Sequence, residues 1–373
     1  MLMRRSVCLA GLLLAATSLA AHAQSTLTLG MVIGTTGAFA GGEAPLVNGT
    51  KMAVADLNAK GGIGGKQITL VIEDTGSEQT GAGNAYNRIL AQNPVAIMNT
   101  TLRGFVLSQM GTIQDEGIAT FTGAASAQLA PDKKGVENLF RVRTSDSLVP
   151  AAAAKFALDT LGAKRIAILR ANSEYGNGWR SAIEATLAAR GLKPAASESF
   201  EGADRDVTPQ LLRIKAADAD VIIVAGDPPN HVVAVQQIKQ LGLTAKVILS
   251  NGGVLPTTVK LYQPGAADGF YGTVDSVPGR DPAQAEWAAR YRKQFNIEPD
   301  YSAAEYYDGV MMVAAAISKA GADPKAVVKA LRTVAAYKGV GNIYTFANKG
   351  DGGQGVALVQ IKGGVIDLAG SVQ

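Results

Sequence analysis

The run Leu27-Thr28-Leu29-Gly30-Met31-Val32-Ile33, followed after a gap by residues 46–58 with the apolar stripe Met52, Val54, Ala55 and Leu57, decides the fold class. The first segment is short and apolar, as a buried strand is, and the second has the length and period of an amphipathic helix. The pair then recurs. Residues 68–72 precede 82–91, and 95–98 precede 105–116, each a β-rich run before a helical one. Near Thr144 the pattern restarts, with helix over 149–161, strand over 165–169, helix over 179–190, strand over 221–225, helix over 231–241 and strand over 247–249. Strands alternating with helices predict an α/β fold of parallel sheets covered on both faces. Gly61-Gly62, Gly191 and Gly242 follow predicted helices, where a left-handed cap is wanted.

A chain of 373 residues exceeds what one hydrophobic core usually supports, so two doubly wound lobes are expected. Ligands of such sheets bind outside the carboxyl ends of the strands, and two lobes facing each other would share one cleft lined by those loops. No tandem repeat, low-complexity linker or heptad run argues for another architecture.

The N-terminus reads as an export signal. Arg4 and Arg5 precede the uncharged run 7–20 and the small-x-small triplet Ala21-His22-Ala23. The run is shorter than the roughly 20 apolar residues that span a bilayer. Cleavage after Ala23 would make residues 1–23 a signal peptide and Gln24 the mature N-terminus. Cys8 lies within the apolar run and not at the cleavage point, so a lipid anchor is not expected. Removing 1–23 leaves 33 basic and 31 acidic residues, no thiol and one histidine, His231. So balanced a charge, without a basic block, gives no footprint for nucleic acid or an anionic membrane.

Catalytic constellations are equally absent from the sequence. His231 follows Pro228-Pro229, and no Gly-x-Ser-x-Gly elbow accompanies it. One imidazole without thiolates does not suggest a metal site, and none is expected. Glu73-Asp74 and Asp115-Glu116 fall at element ends, where solvated or capping roles are usual. The segment Gly34-Thr35-Thr36-Gly37 lacks dinucleotide-loop spacing, and the cluster 61–66 precedes a strand where a phosphate loop would follow one. No cofactor is expected.

Several short segments, in order, resemble Leu/Ile/Val-binding proteins, the periplasmic substrate-binding proteins of branched-chain amino acid ABC transporters. They are Ala53-Val54-Ala55-Asp56-Leu57-Asn58-Ala59-Lys60-Gly61-Gly62-Ile63-Gly64-Gly65-Lys66, Asp115-Glu116-Gly117-Ile118, Gly123-Ala124-Ala125-Ser126, Arg165-Ile166-Ala167-Ile168 with Glu174-Tyr175-Gly176-Asn177-Gly178, and Ala304-Glu305-Tyr306-Tyr307-Asp308-Gly309. The resemblance implies the type I periplasmic-binding fold, with two lobes and a three-crossing hinge near Thr144, Asp275 and Gly352. Lobe 1 would be 24–144 plus 275–352, and lobe 2 would be 145–274 plus 353–373. It also implies a monomeric, non-enzymatic periplasmic receptor. Such a receptor delivers an amino acid or related small polar solute to an ABC permease in the inner membrane. The alternatives are a receptor for an amide, urea-like or carboxylate solute, or the ligand-sensing subunit of a membrane partner.

Site residues follow from the same resemblance. Ala124, through its backbone, and Ser126 match the segment that holds a substrate carboxylate. Arg103, in Asn99-Thr100-Thr101-Leu102-Arg103-Gly104, stands near the position where the family usually offers serine and could fork a carboxylate, or else be solvated. Tyr175 matches a residue that closes over ligand, and Tyr307 could wall the pocket; both could equally pack in a core. The family's ammonium-binding acid falls at Gly252, a departure. Asp227 is the nearest replacement, unless it caps the helix that follows.

Overall fold

The computed structural model describes residues 26–129, 136–277, 282–349 and 351–372. The signal segment and its cleavage point lie outside the described residues. The first half builds β1 (Leu27–Ile33), α1 (Ala40–Ala59), β2 (Ile68–Asp74), α2 (Gln79–Leu90), β3 (Ala96–Asn99), α3 (Arg103–Glu116), β4 (Thr120–Thr122) and β5 (Leu139–Arg141). These strands form one parallel sheet ordered β2-β1-β3-β4-β5. Every residue of β1 except Thr28 is buried, which is why it reads as a continuous apolar run.

The second sheet takes β6 (Ile166–Ala171), β7 (Ala196–Phe200), β8 (Val221–Ala225), β9 (Lys246–Leu249), β10 (Tyr271–Val274), β14 (Val356–Lys362) and β15 (Val365–Val372), in the order β15-β14-β10-β9-β8-β6-β7. Its strands from β7 to β10 are parallel, while β14 and β15 close one edge antiparallel. Helices α4 (Leu148–Asp159), α5 (Glu174–Ala188), α6 (Thr208–Ala216), α7 (Pro228–Gln240) and the single turn α8 (Pro256–Val259) surround it. The chain then returns to the first sheet, where α9 (Pro282–Phe295), α10 (Tyr301–Ala320) and α11 (Pro324–Leu331) complete the core. A small sheet of β11 (Tyr337–Lys338), β12 (Ile343–Thr345) and β13 (Gly352–Gly353) leads into β14.

The segments that run between the sheets are knotted by hydrogen bonds. Asp275, buried, accepts from the Thr144 amide at 2.8 Å, from Asn251 Nδ2 at 2.7 Å, and from Arg143 Nε and Nη2 at 3.2 and 3.0 Å. Thr144 Oγ1 donates to the Gly355 carbonyl at 2.6 Å, and Thr144 bridges Gly353 in parallel register. Asn342 fastens the third segment, its Nδ2 donating to Thr144 Oγ1 at 3.2 Å while its Oδ1 accepts from the Gly355 amide at 2.8 Å. Gly352 has φ +99°, and a Cβ there would lie 2.0 Å from the Arg141 carbonyl, so only glycine lets the strands approach this closely.

His231 is structural. It lies fully buried on α7, with Nε2 3.1 Å from the Gly226 carbonyl and 3.0 Å from Ser250 Oγ. Its ring fills the space beside Gly253, where a Cβ would come within 2.8 Å of it. Burial pushes the imidazole down to about 4, because desolvation penalises the charged form.

Two outcomes follow. Asp275→Ala leaves Arg143 buried without its counter-charge, so urea unfolding should show a loss of about 3–5 kcal/mol; a loss under about 1 kcal/mol would contradict the knot. For His231, the unfolded chain takes up the proton near pH 6.5, before the folded one does. Its contribution is therefore full above about pH 6.5 and is lost as pH falls towards 4. The stability difference between wild type and His231→Gln should shrink by about 2–4 kcal/mol across that window. Asp300 and Asp308, raised by burial to about 6 and about 7, titrate in the opposite sense but are common to both proteins and cancel. A pH-independent difference would contradict the assignment.

Candidate functional site

The carboxyl ends of the two sheets face each other, and the loops between them form the candidate site. On the first side the loops after β1, β3 and β4 are held rigid from beneath. Glu43, buried in the first turn of α1, accepts from the Gly34 amide at 2.6 Å, from the Thr101 amide at 3.2 Å and from Thr100 Oγ1. Burial raises its carboxyl, against the pull of those donors. Tyr306 reaches up from α10, accepting from the Gly123 amide at 3.0 Å and donating to the Asn99 carbonyl. Thr122 Oγ1 joins the two loops, donating to the Thr100 carbonyl at 2.7 Å and accepting from the Ala124 amide at 3.0 Å.

The second side is the first turn of α5. Ser173 caps it by accepting from the Gly176 amide at 3.2 Å, and Gly176 passes so near Ala171 that a Cβ would lie 2.0 Å from that carbonyl. This sharp turn presents Glu174 and Tyr175 across the cleft. Ser126 Oγ donates to Glu174 Oε1 at 2.6 Å, and the Arg103 guanidinium lies 4.6 Å from the centre of the Tyr175 ring. The latter is a cation–π contact within the favourable range. Arg103 Nε is buried with no partner of its own.

Asp146, on the first crossing segment, adds a half-buried carboxylate whose amide donates to the Ala125 carbonyl at 2.9 Å. Burial raises its pKa, opposed in turn by the charges of Arg103, Arg143 and Arg141. Tyr175 is buried, its hydroxyl pushed up by burial first and by Asp146 next. The arrangement offers one guanidinium, one aromatic face, hydroxyls and carboxylates on rigid turns. Ser126 gives its proton to a carboxylate. The only histidine among the described residues, His231, is enclosed in the second-lobe core.

Of the six residues singled out by sequence, Arg103, Ser126 and Tyr175 come together, with Ala124 in the same loop as Ser126. Ala124 does not offer a free amide, since its N–H is committed to Thr122. Asp227 stands apart: it is exposed, holds the N-cap position of α7 and donates its amide to Asn230 Oδ1 at 3.0 Å. Tyr307 also points elsewhere. Its hydroxyl donates to Asp56 at 2.8 Å, its ring packs edge-on against Trp287, and it lines a separate recess of about 580 Å³ with Met311 and Tyr337. One position earlier, Tyr306 turns to the strand ends instead.

Sequence reasoning passed over Glu43, Asp146 and Glu174. The signal for Glu174 was present: it directly follows a capping serine and precedes Tyr175, in a segment already singled out for its resemblance. Nothing in the neighbourhood of Glu43 or Asp146 marked them, because their partners lie far along the chain.

Comparison with known proteins agrees with this geometry. The family model described as periplasmic binding protein matches residues 26–365. The Leu/Ile/Val-binding protein BraC3 of Rhizobium johnstonii is 28% identical over 324 residues, covering 86% of this chain and 87% of its own. A leucine-, isoleucine-, valine-, threonine-, and alanine-binding protein of Pseudomonas aeruginosa is 25% identical, with 81% of each chain covered. Among solved structures, the substrate-binding protein LivJ of Streptococcus pneumoniae in complex with isoleucine superposes with TM-score 0.84 at 23% identity, over 93% of this chain and 99% of that one. A solute-binding protein of R. palustris in complex with benzoate gives TM-score 0.80 at 17% identity, over 93% and 96%. With a two-sheet architecture, opposed strand ends and a family match over nearly its whole length, this chain belongs to the periplasmic binding protein family.

Proposed function

We propose that this chain is the periplasmic solute-binding component of an ABC importer, a receptor without catalytic activity that delivers one small solute to a permease in the inner membrane. Export would follow from the Arg4-Arg5 segment and cleavage after Ala23. The two lobes would be 24–144 plus 275–352 and 145–274 plus 353–373, turning about the knot at Asp275. The observation that carries the reading is the pair of contacts across the cleft, Ser126 with Glu174 and Arg103 with Tyr175, which brings polar groups of both lobes to one place.

The solute carries a carboxylate, and an amino acid, branched-chain or related, is the class that fits best. The relatives named above for their ligands bind amino acids or benzoate, which share that group. Arg103 supplies the matching fork, with a buried Nε–H awaiting an acceptor and a guanidinium already oriented by Tyr175. Tyr175 holds that guanidinium from the second side of the cleft.

The test begins with protein from the periplasmic fraction, its mature chain starting at Gln24. Mass spectrometry of small molecules released on denaturation should find a carboxylate-bearing solute, recovered unchanged after incubation with the native protein. In calorimetry with that solute, Arg103→Ala should weaken binding about ten- to a hundredfold, the range for losing a hydrogen bond to a charged group. Undiminished affinity, or chemical conversion of the solute, would overturn the reading.

A further inference from the structure

An α-amino acid bound between two such lobes needs a carboxylate for its ammonium, since a buried cation without a counter-charge is costly. Position 252, where the resemblance places that acid, holds glycine. A Cβ there would already press at 3.3 Å on both the Gly226 carbonyl and Pro228 Cδ. Asp227 is exposed and spent on the start of α7. Asp146 is half-buried, and burial raises its carboxyl against the charges of Arg103, Arg143 and Arg141, which disfavours the anion that an ammonium needs.

Glu174 differs from all three. It projects from the first turn of α5 across the cleft until Oε1 meets Ser126 Oγ at 2.6 Å, and among the described residues it forms no ion pair. Ser126 has one proton, and it goes to Glu174; its acceptor side takes the Gln128 amide at 3.3 Å. With that proton committed, Ser126 cannot also donate to a solute carboxylate, which falls instead to Arg103. The guanidinium lies over the ring of Tyr175, the residue next to Glu174, so the same first turn of α5 carries both the ring that orients Arg103 and the carboxylate that crosses the cleft.

Resting on the receptor reading above, we propose that Glu174 is the second-lobe carboxylate that binds the ammonium of an α-amino acid, and that Ser126 is its positioning residue. The site thereby selects zwitterions over simple carboxylates.

Calorimetry with L-leucine and with 4-methylpentanoate, the same skeleton without the amino group, tests this. Glu174→Gln should weaken L-leucine about ten- to a hundredfold and leave 4-methylpentanoate unchanged or tighter. Ser126→Ala should show the same selectivity at smaller size, and Glu174→Asp should recover part of the loss. Melting temperatures of the variants, close to wild type because Glu174 is exposed, exclude a folding effect. Equal losses on both probes, no loss at all, or a selective loss in Asp227→Asn instead would overturn the assignment. A wild type that takes 4-methylpentanoate but not L-leucine overturns it while leaving the receptor reading standing. One that takes neither contradicts it too, and failure to release any small solute on denaturation would carry the contradiction to the receptor reading.

Discussion

One buried carboxylate joins the segments that run between the two sheets. Asp275 stands where the chain leaves the second sheet and gathers an amide, an amide side chain and a guanidinium from segments more than a hundred residues earlier and about twenty residues earlier. Four bonds to one carboxylate fix the crossing segments relative to one another without tying sheet to sheet along their faces. A charge this enclosed is tolerable only when every lone pair is met, and here Arg143, Thr144 and Asn251 meet them.

The two sides meet through turns instead of through sheet faces. The first-sheet loops are locked by Glu43, Thr122 and Tyr306, and the first turn of α5 by Ser173 and Gly176. Each side of the candidate site is thus braced by its own hydrogen bonds, and in the proposed receptor the halves would move as units. A solute that touches both halves favours the closed arrangement by its differential contact alone.

The sheets were legible in the sequence because their signal is local. Strands β1 and β8 read to the residue, as fully apolar runs do, and the expected strands 68–72, 95–98, 165–169 and 247–249 fall within two residues of β2, β3, β6 and β9 at each end, whereas β4, β5, β7 and the strands from β10 onward were not expected. Helix α1 begins at Ala40 and not near Leu46, because Glu43 pins a first turn whose residues carry no apolar stripe. The site was legible only in part. Arg103, Ser126 and Tyr175 sit on segments with a recognisable local form. Tyr307 was one residue out of phase: neighbours on a helix point about 100° apart, and Tyr306 has the facing position. Asp227 caps α7 and Glu174 opens α5, so both stand at helix starts, and only the position of the opposing loops decides which reaches across. Pairings of that kind are non-local, and no spacing within either segment encodes them.

The central claim is that two preformed half-sites turn about this knot and meet on a solute. Small-angle scattering of the mature protein with and without saturating solute, with calorimetry confirming saturation in the same buffer, tests it most directly. The account predicts a smaller radius of gyration in the saturated sample. An unchanged radius at full saturation would contradict it.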